Sequence, residues 1–465
     1  MEGSKNIGAR LDRLPISNWH YEILVLIGLG MFIDSFDNYM GGAVLSELIK
    51  TGWSTNYLNA VFISTTMAGL FLGSIFAGLA GDHLGRKFAY QLNLLIFGIA
   101  AIAATFVTSM TLLIILRGIM GIGLGAELVV GFGTFSEFVP ARVRGRWTSF
   151  LSLVANCGPP VALIAAYFII PIFTWRAMFL IGGISALIVW MLRHNLPESP
   201  RWYESRGEYE KADIIVSKVE KSIERTTGKK LSKVLEMDET NIPLIRQISI
   251  WSLFHGVLLK RTIVSSAVLI GMNTLIYTVV NWVPTIFIQQ GLSITKSIGM
   301  VALMLIGAPI GVFIASRTVD RFPRKIMTSS LLLIIGVLGY VYSLQRDEVI
   351  IVALGFILII FIYIYTCLVC SVYVPEMWPT EARLRGTGVA NAVGRISAIF
   401  SPYIVAWLLT NYGVTAVFIG LGIVVIVLAV VIMVLGVETR HKTLEEISME
   451  IEEEFDASVT NYSKN

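Results

Sequence analysis

Residues 78–87 read GLAGDHLGRK, and residues 316–325 read SRTVDRFPRK. Each follows a long apolar run, and each sets an aspartate, Asp82 or Asp320, ahead of an Arg-Lys pair at Arg86 or Arg324, an offset of 320 − 82 = 238 residues. A second motif repeats in the same way. Glu137-x-x-Pro140 returns as Glu376-x-x-Pro379, an offset of 376 − 137 = 239. Two unrelated motifs recurring at nearly one spacing imply that the chain is a tandem duplication.

The unit duplicated is a set of apolar blocks. A bilayer core about 30 Å thick needs roughly 20 apolar residues in a helix. Runs that meet or approach this length cover 21–45, 57–80, 88–109, 111–139, 147–173 and 175–192, then 262–289, 298–316, 327–344, 349–375, 386–410 and 414–437. The expected fold is therefore an all-α membrane protein with twelve spanning helices in two pseudo-symmetric six-helix bundles. The short alternating segments of a barrel are missing. Two repeats rocking about a site between them is a transporter architecture.

Composition agrees. Of 465 residues, 55% are hydrophobic and 15% charged, against about 25% charged in a soluble domain. Three cysteines give neither a disulfide framework nor a metal set. Cys367 and Cys370 form a C-x-x-C inside an apolar block, where packing is the plainer reading than redox or metal chemistry. No cleavable signal is expected, because the first block follows a charged start and is long enough to span. Lysine and arginine gather in the even-numbered connections, at Arg86, Lys87, Arg142, Arg144, Arg146, the 194–261 segment, Arg321, Arg324, Lys325, Arg383 and Arg385. The positive-inside rule then places both termini in the cytoplasm. The expected organisation is a cytoplasmic N-terminal segment 1–20, a bundle 21–193, a cytoplasmic connector 194–261 with short surface helices, a bundle 262–437 and a cytoplasmic tail 438–465.

The two loop motifs resemble the signature loops of the major facilitator superfamily. RGIMGIGLG (117–125), EFVPARVRG (137–145), PESPRW (197–202) and ETRHKTLEEI (438–447) resemble its sugar-porter-like branch. The opening RLDRLPISNWHYEILVLIGLGMFIDSFD (10–37) is similar to prokaryotic metabolite–proton symporters related to nicotinate permeases and synaptic-vesicle-type transporters. The resemblance runs from about residue 9 to residue 447.

Ionisable groups within the hydrocarbon cost about 3 kcal/mol each on insertion scales, so each is a functional candidate. Asp34 and Asp37 share one face of the first block. Counting about 1.5 Å per residue from opposite membrane faces puts Asp37 and Arg117 at similar depth. There they can pair, and a carboxylate that loses its counter-charge in hydrocarbon takes up a proton. The resemblance implies that this is the proton-coupling pair; a static structural ion pair is the alternative. Asp34 has three open roles: binding substrate, sharing the proton, or tuning Asp37. Glu127, roughly 15 Å further inward, suits an inner-gate or proton-exit role, or a hydrogen-bonded structural one.

Arg395 lies mid-block in GVANAVGRISAIF with no carboxylate in its own block. Either an anionic substrate supplies its counter-charge, with guanidinium favouring a carboxylate, or Asp34 or Asp37 does. Asn273, Tyr277, Tyr363 and Tyr365 at similar depth are candidate substrate contacts. Gly271-x-Asn273-x-x-x-Tyr277 matches the sugar-porter pattern, but the paired glutamines expected before it are Ala267 and Val268. The expected Gly-Pro…Trp stretch reads Cys367-Leu-Val-Cys-Ser371. These losses count against a sugar. Asp82, Arg86, Glu137, Arg144, Asp320, Arg324, Glu376 and Arg383 resemble an inter-helix salt-bridge network that holds one conformation closed. The second-half motif reads EARLRG, two residues longer than its counterpart, so Arg383 and Arg385 both stay open for the last role.

The expected function is proton-coupled symport of a small organic solute, an organic anion such as a monocarboxylate, by alternating access in the plasma membrane. The alternatives are a sugar or polyol:proton symporter, a proton-driven exporter, uncoupled facilitated diffusion, and a transporter-shaped sensor. A phosphate loop, nucleophile elbow or metal cluster is missing, so the chain reads as neither enzyme nor ATP-driven pump. Expected partners are a small-molecule substrate, protons and the lipid bilayer. No nucleic acid and no cofactor are expected, and the monomer is expected to suffice.

Overall fold

The computed structural model describes residues 7–228, 230–231, 250–289, 291–378 and 383–439. Among them the chain is helical, and no strand occurs. The helices are α1 (Ile7–Asp12), α2 (Asn18–Lys50), α3 (Asn56–Leu84), α4 (Arg86–Thr105), α5 (Met110–Phe138), α6 (Ala141–Asn156), α7 (Gly158–Phe173), α8 (Arg176–Leu192), α9 (Pro200–Ser205) and α10 (Tyr209–Thr227). After the connector come α11 (Gly256–Gln289), α12 (Ile294–Leu305), α13 (Gly307–Thr318), α14 (Arg324–Ser343), α15 (Glu348–Leu368), α16 (Val374–Glu376), α17 (Arg383–Tyr412) and α18 (Val414–Leu435).

Eleven stretches of helix among the described residues are long and apolar enough to cross a membrane, and α8 is a shorter apolar twelfth. Each corresponds to one expected block. The differences are local. The fifth span divides at Cys157, where Pro159 and Pro160 open α7 because a helix's first turn has no use for their missing N–H groups. The eighth divides at Ile306 into α12 and α13. The tenth is interrupted by a π-helical turn, Val369–Tyr373. Polar side chains start several helices: Ser109 accepts from the Leu112 N–H (3.3 Å) and Asp347 from those of Val349 and Ile350 (3.0 and 3.1 Å). Of the short surface helices expected within 194–261, α9 and α10 are described; residues 229 and 232–249 lie outside the described ones, as does most of the 438–465 tail.

The chain forms two compact units. The first comprises residues 1–41 and 65–242, and the second 42–64 and 243–465. In the first unit, the glycines of RGIMGIGLG let α5 lie directly on α3. A Cβ on Gly125 would run into the backbone of Leu70, and one on Gly73 into that of Ile122. A core of Ile23, Ile27 and Met31 with Tyr90, Phe135, Phe138, Trp147 and Leu151 fills one end of this unit.

A small satellite completes the first unit. Ile7, Leu11 and Leu14 pack on Ala212, Val216, Val219 and Ile223 of α10. Beside them Arg10 pairs with Asp213 and Glu220 (2.7 Å to the latter), and Arg13 pairs with Glu220 at 2.6 Å. Burial pushes the Glu220 carboxyl up, but hydrogen bonds and charge from Arg10 and Arg13 together outweigh it and hold it below the usual carboxylate range. Arg201–Asp12 at 3.0 Å ties α9 in as well.

In the second unit, α11 packs on α17 and α18, and α13 on α15. The end of α2 and the start of α3 are built into it. Gly42 lies against the backbone of Val280 and Asn281, the Ser64 hydroxyl donates to the Ile399 carbonyl (2.6 Å), and Asn56 reaches Thr410 (3.1 Å).

Candidate functional site

The repeated motifs close each unit in the same way. In the first, Arg86 pairs with Glu137 at 3.1 Å, while Glu198 of PESPRW accepts from the backbone N–H groups of Arg86 (2.9 Å) and Lys87 (3.1 Å). In the second, Arg324 pairs with Glu376 at 3.2 Å, while Glu438 accepts from the N–H groups of Arg324 (2.8 Å) and Lys325 (3.2 Å). The offset between the two acceptors is 438 − 198 = 240 residues. Each glutamate meets the exposed N–H groups and positive dipole end of α4 or α14. Gly85, at φ 102°, takes a backbone conformation that side chains disfavour, and a Cβ there would strike Glu198. Thr439 adds a bond to Glu376 (2.7 Å). The side chains of Asp82, Arg144, Asp320, Arg383 and Arg385 lie outside the described residues.

Inside the apolar part of the first unit, α2 carries Asp34 and Asp37, both buried. Arg117 of α5 pairs with the Asp37 carboxylate and also donates to the Asp37 carbonyl (3.0 Å). The pairing expected from depth counting is present, and neither side chain is more than 1% exposed. Such a pair stands only because each charge cancels the other's desolvation.

Glu127 forms a second buried pair. Arg193, just past the end of α8, donates to Glu127 at 2.6 Å and to the carbonyls of Leu26 (2.7 Å) and Ile27 (2.8 Å), and lies 4.9 Å from the Tyr90 ring centre. A Cβ on Gly30 would collide with both partners, so the pair presses directly on α2 four residues before Asp34. Sequence reasoning missed Arg193. It ends an apolar block beside a basic connector, where a positive-inside arginine looks the same.

In the second unit, Asn273 of α11 lies against Gly394, next to Arg395 of α17. Its amide donates to the Leu269 carbonyl (2.8 Å). Arg395 is half-buried and makes no ion pair among the described residues; its charge reaches Cys370, whose Sγ is 3.0 Å from Met272 Sδ. Met272, Asn273, Cys370 and Arg395 therefore form one neighbourhood, of which the sequence singled out Asn273 and Arg395 as substrate contacts and Cys370 for packing. Tyr277 follows Asn273 by four residues along α11 and is half-buried. Tyr365 stands behind α11, its hydroxyl donating to the Val268 carbonyl (2.8 Å), whereas Tyr363 packs against Gly311 of α13. The two tyrosines do not share a surface.

Comparison with known proteins fits this arrangement. The model of the sugar (and other) transporter family matches residues 21–451. The inner membrane metabolite transport protein YdjE of Escherichia coli is 46% identical over 96% of this chain and 99% of its own length. The niacin transporter NiaP of Acinetobacter baylyi is 31% identical over 95% of this chain and 99% of its own. Among solved structures, the partially occluded inward-open xylose transporter XylE of E. coli superposes with a TM-score of 0.74 at 19% identity, over 92% of this chain and 100% of that one. The chain therefore belongs to the sugar (and other) transporter family within the major facilitator superfamily, and is a multi-pass membrane transporter of sugar or metabolite type, not an enzyme.

Proposed function

We propose that the protein is a proton-coupled symporter of a small organic anion, with a monocarboxylate as the simplest substrate. The observation that carries this reading is the Asp37–Arg117 pair, sealed within an apolar bundle. Asp37 holds its proton site closed while Arg117 is bound to it. When the guanidinium moves away, burial favours the neutral acid and Asp37 takes a proton; re-pairing releases it. Asp34, one turn away on α2, shares or tunes that proton. Glu127, held by Arg193, lies on the inner route.

Arg395 supplies the substrate's counter-charge, with Asn273 and Tyr277 completing the contact. Niacin, named for one relative, is itself a monocarboxylic acid. An anion moving with one proton carries no net charge, so the membrane potential does not oppose it, where each net charge would cost about 2.3 kcal/mol per 100 mV. The bundles 21–193 and 262–437 rock about this site in the plasma membrane, with both termini and the connector 194–261 cytoplasmic. The Arg86–Glu137 and Arg324–Glu376 pairs then sit at the cytoplasmic latch. A neutral sugar is the second reading, favoured by Asn273 within the sugar-porter pattern.

Asp37→Asn keeps size and removes the titratable group. In proteoliposomes, with labelled nicotinate and benzoate as probes, pH-driven accumulation is expected to disappear while substrate exchange persists. Full pH-driven accumulation by this variant would overturn the reading.

A further inference from the structure

Hydroxyl groups in apolar helices normally bond back to a carbonyl one turn earlier, because hydrocarbon offers nothing else. The second unit follows this rule widely: Thr262 donates to Leu258 (2.9 Å), Ser297 to Ser293 (2.8 Å), Thr318 to Ile314 (2.9 Å) and Thr366 to Ile362 (2.8 Å). Thr274 and Thr278 of α11 and Ser401 of α17 are among those that break it, as Ser329 of α14 also does. Among the described residues none of the three makes a hydrogen bond, although Thr278 is only 4% and Ser401 only 9% exposed. All three line one cavity of about 300 Å³ between α11, α17 and α18.

The rest of the lining is apolar except for Ser397, whose hydroxyl donates to the Gly394 carbonyl (2.7 Å). Ile270, Val405, Val417 and Leu421 supply apolar surface, and among the described residues no ionisable side chain takes part. Phe400, Ile404 and Val424 belong to the cavity and are also exposed on the outside of the unit. In a multi-pass membrane protein an apolar outer face meets lipid, so the cavity opens sideways into the bilayer. A hydroxyl without a protein partner among apolar side chains offers a hydrogen bond that nothing else in the lining takes up. An occupant that brings an acceptor or donor completes it.

We propose that this cavity is a lateral binding site for one aliphatic chain ending in a neutral hydrogen-bonding group, drawn from the surrounding bilayer. The volume admits roughly ten water-sized groups, the bulk of a chain of about eight to ten carbons. The chain lies along Ile270, Phe400 and Leu421, and its head meets Thr278 and Ser401. The absence of charge in the lining excludes an ionised head and separates this site from the one at Arg395.

The test uses the full-length protein in nanodiscs and a photoreactive diazirine analogue of octan-1-ol, with labelled residues mapped by mass spectrometry. Labelling is expected to saturate, to concentrate within 397–408 and 417–424, and to be displaced by octan-1-ol. Thr278→Val with Ser401→Ala keeps the cavity and removes two hydrogen bonds, so saturable labelling falls about five-fold. Gly420→Leu fills the space and removes it, with folding of both variants checked by thermal unfolding. Labelling that never saturates and spreads evenly over the lipid-facing helices overturns the proposal. So does unchanged saturable labelling in a folded double variant. If the double variant does not fold, displacement by octan-1-ol on the unaltered protein and the Gly420→Leu result decide it.

Discussion

The two units share their motif-bearing ends and differ in their interiors. Arg86, Glu137 and Glu198 in one correspond to Arg324, Glu376 and Glu438 in the other, bond for bond. Carrying the offset inward breaks the likeness. With 238 before the π-helical turn and 239 after it, Asp34 maps to Met272, Asp37 to Leu275, Arg117 to Gly355, Glu127 to Tyr365 and Arg193 to Ile432. The first unit keeps two buried ion pairs where the second has apolar or neutral groups. Duplication has preserved what closes a bundle and separated what fills it. One interior is built around titratable charge, and the other around Arg395 with neutral polar neighbours.

The largest effect expected from testing this contrast is in the interior of the first unit. Arg193→Ile leaves Glu127 buried without its partner and should cost about 3–5 kcal/mol in stability. Adding Glu127→Leu, which makes the site resemble the second unit, should recover most of that loss in chemical unfolding. A single variant as stable as the parent would show that water already reaches Glu127.

Next comes Arg395. Arg395→Lys retains charge and loses the planar fork, so affinity for a monocarboxylate should fall by roughly 1.5–3 kcal/mol, read by titration calorimetry. Equal loss for a neutral solute would move the reading towards a sugar.

The shared ends should respond alike. Glu198→Gln and Glu438→Gln each remove a carboxylate from a helix N-terminus and should each cost about 1 kcal/mol. Thermal unfolding of the two variants would sharpen the symmetry if the losses agree and break it if only one matters.

The smallest effect belongs to the satellite, which has no counterpart among the described residues of the second unit. Glu220 is held below its ordinary value of 4.5, so its contribution is present above that value and is lost as pH falls through the lower folded one. Amide exchange of residues 7–14 should stay slow at neutral pH and quicken in acid, and Glu220→Gln should be fast throughout.

The sequence displayed most of this fold because a bilayer imposes length and polarity on every span. It displayed Asp37–Arg117 because both lie inside blocks whose ends fix their depth. Arg193 stayed hidden because a charge at a block's end obeys the positive-inside pattern whether it is solvated or buried. Tyr363 and Tyr365 were grouped by depth, yet residues two apart on a helix point to nearly opposite sides. The free hydroxyls of Thr278 and Ser401 left no trace in the sequence, since a bonded and an unbonded serine are spelled alike.

The π-helical turn at Val369–Tyr373 sets the rotational phase of the helix end beyond it. Such a turn takes up one residue more than an α-helix does, and the offset between halves grows by one, from 238 at Arg324 to 239 at Glu376. Each residue in a helix is worth about 100° of rotation and 1.5 Å of rise. The turn takes up the added residue, so Glu376 keeps the phase that Glu137 has at the end of α5 and still faces Arg324 and Thr439. Shortening the turn by one residue would return the span to the uninterrupted geometry of α5, with its last carboxylate still facing the arginine as Glu137 faces Arg86.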